Sequence, residues 1–394
     1  MKELSRIASA IAPSSTLAIN SLANQLRSEG VDVLNFSAGE PDFNTPDHIK
    51  AAGIRAIEEN KTRYTPAAGV MELRKAVSQG MKDEFGLEYE PSQVCIASGA
   101  KHSIYIALAV LLNPGDEVIL PAPYWVTYYE AIRMFGGIPV VVDTTEEEGF
   151  KLTAEKLSAA ITPKTKLLML NNPSNPTGAV YTRDELIALK DVIVANDIYV
   201  MSDEIYNALT YGEEFVSLPT LGDDIKELTI RVSGVSKAYA MTGWRIGFSA
   251  TNKTIAKAIS SYLSHSTGAP ATMSQYAAIE AIYSPKDECE KMRLAFDERR
   301  KYFVDRVAKI DGVSCVEPKG AFYIFMNIKD QIGRTIGGKK IETSADFATA
   351  LLETAHVAVV PGTAFGMDGY IRWSYATDMD TIKRGLDRLE EFLK

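Results

Sequence analysis

The chain has 394 residues, too many for one ordinary hydrophobic core, so we expect a large domain with a smaller companion. Hydrophobic residues make up 46% and charged residues 24%, which is the composition of a globular protein. The formal net charge of −9 argues against nucleic acid and against a membrane surface as the main partner.

The first predicted elements follow an N-terminal arm over residues 1–47. In residues 48–283, short apolar runs alternate with helical patterns, and we predict strands at 93–98, 116–121, 137–143, 165–172, 197–203, 227–233 and 245–251. Their nearly continuous apolar character is typical of strands buried on both faces. Thr182 and Glu185 form a capping-box pattern that begins a helix over 182–196. This alternation predicts an α/β fold with a mostly parallel, doubly wound sheet in a large domain over 48–283.

The pattern changes at about residue 284. A long amphipathic helix is predicted over 285–310, and a final one over 380–394. Strand-like runs lie between these helices, at 312–318, 320–328 and 370–376. Runs of strands beside helices favour a small α+β domain over 284–394, against which the N-terminal arm is expected to pack.

Polar and aromatic groups follow five of the predicted strands. In open α/β sheets, ligands bind beyond the carboxyl ends of the strands, so these groups are expected to meet at one edge. They are the helix start at Ala100 and Lys101, then Trp125, Asn175, Asp203 with Tyr206, and Lys237. Each alone has a structural explanation, such as a helix cap for the acid or packing for the aromatics. Their convergence favours a binding site.

The same groups match the needs of a pyridine aldehyde cofactor. A lysine that forms an imine must be desolvated, so that its amine is nucleophilic. An acid keeps the ring nitrogen protonated, a phenol and an amide bind the ring oxygen, and an aromatic side chain covers the ring face. A helix N-terminus and an arginine suit a phosphate. The sequence therefore predicts pyridoxal phosphate chemistry.

The stretch SGVSKAYAMTGWRIG (233–247) places Lys237 and Arg245 in an apolar, glycine-rich segment without an acidic residue. It resembles the lysine-attachment signature of the class I pyridoxal-phosphate-dependent aminotransferases. Seven further motifs resemble landmarks of that family, in order: FSAGEPDFNTP (36–46), RYTPAAG (63–69), PYWVTY (123–128), NNPSNPTG (171–178), SDEIYN (202–207), PGTAFG (361–366) and IRWSYA (371–376). The resemblance covers essentially the whole chain and is strongest to the bacterial aspartate aminotransferase branch. It implies the fold-type I transferase architecture.

The resemblance also implies a role for each residue around the cofactor ring. Lys237 would form the imine and carry a proton between the substrate Cα and the cofactor. Asp203 would pair with the ring nitrogen, while Tyr206 and Asn175 would bind the ring oxygen. Trp125 would stack on the ring.

A second group of implied roles concerns the phosphate. It would be held by Arg245 and by the backbone amides of Ala100 and Lys101. Many relatives carry a serine at the position of Gly234, so we expect one of its neighbours, Ser233 or Ser236, to supply the hydroxyl. Sequence alone leaves both open.

Substrate contacts and a second subunit are implied in the same way. Arg372 would clamp the substrate α-carboxylate with its planar fork, which a lysine could not copy. Gly39 and Asn175 would lie beside that carboxylate. Tyr64 would reach the phosphate in a second subunit, which implies a homodimer with shared active sites.

Substrate choice depends on a cation for the distal carboxylate, and in this branch of the family that cation is Lys101. A lysine is unfavourable at a helix N-terminus, which suggests that it is kept for function. Ser15 and Thr16 are expected to assist. We therefore expect reversible amino transfer between L-aspartate and 2-oxoglutarate, giving oxaloacetate and L-glutamate. The alternative is a broader aromatic or glutamate/aspartate-prephenate aminotransferase, although Ala12 stands where relatives that accept prephenate carry a basic residue.

Three other classes of protein share part of these patterns. GRTIGGKK (333–340) has P-loop spacing, but Lys340 replaces the Ser or Thr that binds magnesium. Ser98 and Lys101 form an S-x-x-K pair without its companion motifs. A non-catalytic cofactor sensor is the third possibility, and no DNA-binding module flanks the predicted domains.

Cysteine and histidine usage bears on location and metals. Three cysteines lie far apart in the sequence, Cys95, Cys289 and Cys315, as expected for reduced thiols in the cytoplasm. The four histidines lack metal-ligand spacing, so no metal site is expected. No apolar run approaches the ~18 residues of a membrane helix, and the N-terminus lacks the apolar core of a signal peptide.

Overall fold

The computed structural model describes residues 2–11 and 15–394. The α-helices are α1 (Arg6–Ala10), α2 (Ser15–Ser28), α3 (Asp47–Glu58), α4 (Met71–Phe85), α5 (Ala100–Leu111), α6 (Thr127–Met134), α7 (Ala154–Ala160), α8 (Arg183–Ala195), α9 (Asp223–Leu228), α10 (Lys253–His265), α11 (Thr272–Tyr283), α12 (Asp287–Val307), α13 (Ser344–Ala355) and α14 (Met379–Leu393). The strands are β1 (Leu34–Asn35), β2 (Val94–Ala97), β3 (Glu117–Ala122), β4 (Ile138–Asp143), β5 (Thr165–Asn171), β6 (Tyr199–Asp203), β7 (Thr229–Gly234), β8 (Gly247–Ala250), β9 (Ser314–Cys315), β10 (Tyr323–Asn327), β11 (Thr335–Ile336), β12 (Lys339–Lys340), β13 (Val357–Ala358), β14 (Val360–Pro361) and β15 (Tyr370–Ser374). Short 3₁₀ helices lie at Pro91–Gln93, Leu218–Leu221, Thr242–Trp244, Lys329–Gln331 and Gly362–Phe365.

A seven-stranded sheet forms the centre of the fold, in the order β2-β8-β7-β6-β5-β3-β4. Strand β8 is antiparallel to both of its neighbours, and the other pairs are parallel. The predicted α/β class with a mostly parallel sheet is therefore confirmed. The β2 and β7 strands are buried throughout, as their apolar runs indicate. Strand β4 differs, because it lies at the edge of the sheet and is partly exposed.

Helices cover both faces of this sheet, and their apolar stripes supply the core. Helix α8 shows how the sequence sets a boundary. The Thr182 hydroxyl accepts from the Glu185 amide at 3.3 Å, and the Glu185 carboxylate accepts from the Thr182 amide at 2.8 Å. This is the reciprocal capping box that the pattern predicts. The buried face of the helix that begins here includes Leu186 and Leu189, which pack in one core cluster with residues of the sheet.

A second, antiparallel sheet in the C-terminal part has the order β14-β15-β10-β9. Its core includes Trp373, which lies 4.7 Å from Phe36 and 5.5 Å from Phe303 between ring centroids. Phe36 belongs to the N-terminal arm, and β1 pairs in parallel with β13 nearby. These contacts bring residues 34–36 against the C-terminal elements.

The P-loop spacing over 333–340 lies in a two-stranded hairpin of β11 and β12. Gly337 and Gly338 form its turn with φ of +58° and +76°, conformations that glycine adopts at little cost. A P-loop needs a helix directly after its glycines, so the nucleotide-hydrolase alternative does not fit. None of the helices within residues 2–11 and 15–394 combines the length and apolar character needed to cross a bilayer.

Candidate active site

A cavity of about 320 Å³ lies beyond the carboxyl ends of the central strands, where the sequence places its site. Its lining includes Gly39, Ala100, Lys101, Trp125, Asn175, Asp203, Tyr206, Ser236, Lys237, Arg245 and Arg372. Most of the predicted site residues therefore meet in one place. The ends of β2, β3, β5, β6 and β7 each contribute one or two of these groups, and β15 of the second sheet contributes Arg372.

Lys237 stands three residues after β7, on the turn that faces this cavity. Its Nζ donates a 2.5 Å hydrogen bond to the Gly39 carbonyl and lies 5.9 Å from the centroid of the Phe322 ring. Burial lowers the pKa of this lysine to about 8, and the positive charges of Arg245 and Arg372 act in the same direction. About a tenth of the amine is therefore neutral at pH 7, far more than for a solvated lysine, as a nucleophilic or proton-accepting amine requires.

Asp203 ends β6 and is 3% exposed. Its Oδ2 accepts a 2.6 Å hydrogen bond from the Tyr128 hydroxyl, and its Oδ1 accepts one of 3.2 Å from the Ile205 amide. Burial raises the pKa of this carboxyl to about 6, while both hydrogen bonds oppose the rise. In the described part of the chain, no basic side chain forms an ion pair with it. A buried acid of this kind is suited to a cationic partner.

A pair of phenols closes one side of the cavity. The hydroxyls of Tyr206 and Tyr323 lie 2.8 Å apart, and their ring centroids are 5.8 Å apart in an edge-on arrangement. The Asn171 side chain holds the neighbouring loop, because its oxygen accepts from the Asn175 amide and its nitrogen donates to the Asp203 carbonyl. The groups that face the cavity are therefore fixed before any ligand arrives.

Arg372 lies on β15 and is 2% exposed. Its terminal nitrogens donate to the Asn175 side-chain oxygen at 3.0 Å and to the Ser37 carbonyl at 2.8 Å. Nε is buried and has no partner among the described residues. The guanidinium lies 4.4 Å from the centroid of the Tyr323 ring. Desolvation lowers its pKa, and no carboxylate among the described residues forms an ion pair with it. This oriented cation therefore suits a carboxylate ligand.

Lys101 provides a further cation at the start of α5. Its Nζ lies 4.9 Å from the centroid of the Trp125 ring, which in turn meets Tyr128 edge-on at 5.3 Å. Partial burial lowers the pKa of Lys101, and the charge of Arg245 adds to this effect. Trp125 therefore lies between Lys101 and Tyr128, and the Tyr128 hydroxyl donates to Asp203.

Arg245 lies against the N-terminus of α5. Its Nη2 donates to the Ser98 carbonyl at 3.2 Å, and its Nη1 donates to the Thr242 carbonyl at 2.9 Å. A Cβ at Gly99 would lie 2.3 Å from Nη2, and Gly99 has a φ of +90°. Only glycine at this position allows the guanidinium and the helix start to approach each other closely. Together they form a cradle for an anion.

Some predicted residues lie elsewhere. Ser236 lines the cavity, whereas Ser233 lies within 3.3 Å of the Glu204 carbonyl and 3.4 Å of the Asn207 side-chain oxygen, beside another cavity. Tyr64 is fully exposed and away from this chain's own site. Ala12 falls outside the described residues, as do the side chains predicted to assist Lys101, those of Ser15 and Thr16.

Sequence reasoning missed Tyr128 and Tyr323. Tyr128 stands three residues after Trp125, one helical turn away, which is a signal that could have singled it out. Tyr323 pairs in register with Ser374 on β15, and this places it two positions along the sheet from Arg372. That relationship depends on the pairing of distant strands, which no local pattern reveals.

Comparison with known proteins places this geometry in a family. The family model for aminotransferase class I and II matches residues 31–389. The aspartate aminotransferase of Bacillus subtilis is 44% identical over 393 residues, covering 100% of this chain and 99% of its own. The aspartate/prephenate aminotransferase of Cereibacter sphaeroides is 44% identical over 395 residues, with 100% and 99% covered. The solved Thermus thermophilus aspartate aminotransferase with maleate is similar with a TM-score of 0.93 at 41% identity, and 100% of each chain is covered.

The chain therefore belongs to the class I and II aminotransferase family. It is a pyridoxal-phosphate-dependent transaminase with the fold-type I architecture, and its resemblance is to bacterial aspartate aminotransferases. The enzyme class and the cofactor predicted from the sequence are confirmed. The serine acyl-enzyme and cofactor-sensor alternatives are not supported.

Proposed function

We propose that this enzyme is an aspartate aminotransferase, which transfers an amino group reversibly between L-aspartate and 2-oxoglutarate. Four basic side chains line the cavity, and Lys237 and Arg245 are assigned to the cofactor. The observation that carries the proposal is that two cations, Arg372 and Lys101, remain for the substrate. A dicarboxylate substrate has one carboxylate for each of them. The relative from Thermus thermophilus is described with maleate, a dicarboxylate, and many matched relatives carry the name aspartate aminotransferase.

The residues of the cavity fit pyridoxal phosphate. The buried Asp203 carboxyl, with a pKa raised to about 6 by burial, suits a protonated ring nitrogen. Tyr206 and Asn175 supply hydrogen-bonding groups for the ring oxygen, and Trp125 supplies a flat apolar face. Lys237, with its lowered pKa, suits an aldehyde.

The phosphate would be held at the start of α5. Arg245 and the backbone amides of Ala100 and Lys101 are its proposed partners, in the cradle that Gly99 leaves open. Between the two serines left open by the sequence, we favour Ser236, because it lines this cavity and Ser233 does not.

When bound, pyridoxal phosphate supplies the electron sink that stabilises negative charge at the substrate Cα. Arg372 orients the substrate by holding its α-carboxylate in a bidentate grip, beside Asn175 and the backbone of Gly39. Lys101 selects substrates with a distal carboxylate. Lys237 then acts as the base. Its Nζ takes the proton from the substrate Cα and delivers it to the cofactor.

We further propose a homodimer, in which the partner subunit's Tyr64 reaches the phosphate. Its support is that Tyr64 is fully exposed on this chain and is not among the residues that line this chain's own cavity. The proposed domain division remains an arm over 1–47, a large domain over 48–283 and a small domain over 284–394. The proposed location is the cytoplasm, in keeping with three free cysteines.

A second candidate activity is amino transfer to prephenate. The relative from Cereibacter sphaeroides carries the name aspartate/prephenate aminotransferase and matches over the full length. Ala12 argues against this activity, because relatives that accept prephenate resemble this chain with a basic residue there.

The test is a panel of amino donors against 2-oxoglutarate with wild-type enzyme and Lys101→Met. We expect wild type to prefer aspartate. The variant should lose at least about tenfold in kcat/KM for aspartate while keeping its kcat/KM for alanine, which lacks a distal carboxylate. Higher kcat/KM with phenylalanine than with aspartate as donor, or with prephenate than with 2-oxoglutarate as acceptor, would overturn the acidic-substrate proposal. Lys101→Arg, which keeps the charge, is the matched control.

A further inference from the structure

A second cavity, of about 540 Å³, lies behind the turn that carries Lys237. The residues at the end of β7 and on the following turn are divided between the two cavities. Ser236 and Lys237 line the active site, whereas the second cavity is lined by Ser233, Gly234, Val235, Ala238 and Tyr239. The remaining wall comes from α4, from Asn207 and Ala208 after β6, from Arg231 of β7 and Phe248 of β8, and from the end of α11 through the start of α12. The second cavity is therefore large enough for a small metabolite and has no part in the proposed transfer.

Arg231 provides a buried cation in the wall of this second cavity. Its side chain is 2% exposed, and its Nε donates to the Glu204 carboxylate at 2.6 Å and to the Ser217 hydroxyl at 3.2 Å. Across residues 2–11 and 15–394, no protein acceptor takes a hydrogen bond from either terminal nitrogen of Arg231. The guanidinium is held 4.9 Å from the centroid of the Phe85 ring. Its outer edge is thus fixed, desolvated and open to an acceptor in the cavity.

An acid and an amide lie on the α4 side of the same cavity. The Asn207 side-chain nitrogen donates to the Glu84 carboxylate at 3.2 Å, and its oxygen faces the Ser233 hydroxyl at 3.4 Å. Glu84 has no ion-pair partner in the part of the chain that is described. Lys286 also lines the cavity, but its Nζ donates to the Tyr239 hydroxyl at 2.6 Å and to the Ile282 carbonyl at 2.9 Å. Burial raises the pKa of Glu84, and the positive charges of Arg231 and Lys286 oppose this rise. Glu84 therefore offers a carboxylate to a cationic ligand on the α4 side of the cavity.

The surface between these charged groups is apolar. Its lining residues are Val77 and Met81 of α4, Val235 of the turn, Phe248 of β8 and Ile282 of α11. Gly234 allows its backbone to pack closely against residues 246–247. A Cβ at this position would lie 2.8 Å from the Ile246 carbonyl oxygen and 2.9 Å from the Gly247 Cα. An uncharged hydrocarbon group would remove this apolar surface from water.

We propose that the second cavity binds an α-amino acid with an uncharged, apolar side chain. The ligand carboxylate binds the terminal nitrogens of Arg231, the ammonium binds Glu84, and the side chain packs on the apolar wall. A simple anion would leave Glu84 unpaired and add a third negative charge near Glu204 and Glu84. A neutral hydrocarbon would leave the donors of Arg231 without acceptors. A zwitterion satisfies both ends without changing the net charge of the cavity.

The test measures L-leucine and L-phenylalanine binding to the cofactor-loaded Arg372→Lys enzyme by titration calorimetry. This background weakens amino-acid binding at the active site and leaves the second cavity intact. We expect at least one of the two to bind, and its N-acetyl and amide derivatives, which lack the ammonium or the carboxylate, to bind at least about tenfold more weakly. Binding of neither amino acid, or equal binding of either derivative, would overturn the proposal.

Two further variants in the same background locate the site. Glu84→Gln keeps the acceptor for Asn207 but removes the charge, and Ala208→Phe fills the cavity from its wall. We expect each to weaken binding of the amino acid by about tenfold or more. Glu88→Gln is the matched control, because Glu88 pairs with Lys82 outside the cavity and its loss should change nothing. Unchanged binding in both cavity variants would place the ligand elsewhere and refute the assignment.

Discussion

The Tyr128 hydroxyl donates a 2.6 Å hydrogen bond to Oδ2 of Asp203, at a position where both side chains are buried. This bond opposes the effect of burial, which alone would raise the pKa of the carboxyl above the value of about 6. Tyr128 therefore keeps a buried acid ionised enough to meet a protonated ring nitrogen. It acts on the cofactor through Asp203 rather than by direct contact.

Replacing Tyr128 with phenylalanine should weaken cofactor binding in a pH-dependent way. Without the hydrogen bond, the Asp203 pKa rises, so the carboxyl keeps its proton to higher pH and loses its charge when pH falls below the new pKa. We expect the affinity of the apoenzyme for pyridoxal phosphate to drop about tenfold at pH 6.5 and less at pH 8. Absorbance titration at both pH values measures it.

Tyr129→Phe is the control for this measurement, because Tyr129 stacks on Tyr124 and does not contact the carboxyl. Equal affinity of the Tyr128→Phe enzyme and wild type at pH 6.5 would contradict the role given to the phenol.

The two serines near Lys237 give a second prediction. Ser236 faces the active-site cavity, and Ser233 faces the cavity behind the turn. We expect Ser236→Ala to raise the dissociation constant of pyridoxal phosphate by about 5- to 20-fold, since one hydrogen bond to a charged group is lost. Ser233→Ala should stay within about twofold of wild type. Dialysis of the holoenzyme followed by cofactor titration measures both dissociation constants. A larger increase in Ser233→Ala than in Ser236→Ala would contradict the assignment of Ser236 to the phosphate.

Much of the fold could be predicted from the sequence, because it follows from local signals. The buried strands of the central sheet carry continuous apolar runs, and the capping box at Thr182 sets the start of α8. The residues at the strand ends could be placed at one sheet edge, since parallel strands align their carboxyl ends. Lys237 and Asp203 are found in this way.

The remaining features depend on contacts between distant parts of the chain. Tyr323 meets Tyr206 across 117 residues, and Arg372 meets the Ser37 carbonyl across 335. The difference between Ser233 and Ser236 also appears only in the structure, because Ser233 on β7 lines the second cavity and Ser236 on the following turn lines the active site. Local sequence patterns carry no record of such pairings.

Arg372 gives a third prediction, which concerns substrate binding. Arg372→Lys keeps the charge but removes the fork that contacts Asn175 and the Ser37 carbonyl. We expect kcat/KM for aspartate to fall at least about 100-fold, mainly through KM, with the cofactor still bound. Steady-state kinetics and the cofactor absorbance measure these effects. Arg388→Lys, at an exposed ion pair with Asp32, should retain wild-type kinetics. A kcat/KM within about threefold of wild type in Arg372→Lys would contradict the proposal that Arg372 binds the substrate α-carboxylate.

The fourth prediction concerns the stability of the apoenzyme. The folded state lowers the pKa of Lys237 from 10.5 to about 8, so burying its charged form costs free energy at neutral pH. That cost is constant below about pH 8, where the lysine is protonated both folded and unfolded. It disappears as pH rises from about 8 to 10.5, because only the unfolded chain then binds the proton.

Lys237→Met should therefore stabilise the apoenzyme at pH 7 by about 2 kcal/mol, allowing for partial screening by the open cavity. The advantage over wild type should shrink steadily between pH 8 and 10. Urea unfolding of both apoenzymes at pH 7, 8, 9 and 10 measures the difference. Lys301→Met, at an exposed lysine on α12, provides the control, since its effect on stability should not follow this pH course. An Lys237→Met apoenzyme less stable than wild type at pH 7 would show that the hydrogen bond to the Gly39 carbonyl outweighs the cost of desolvation.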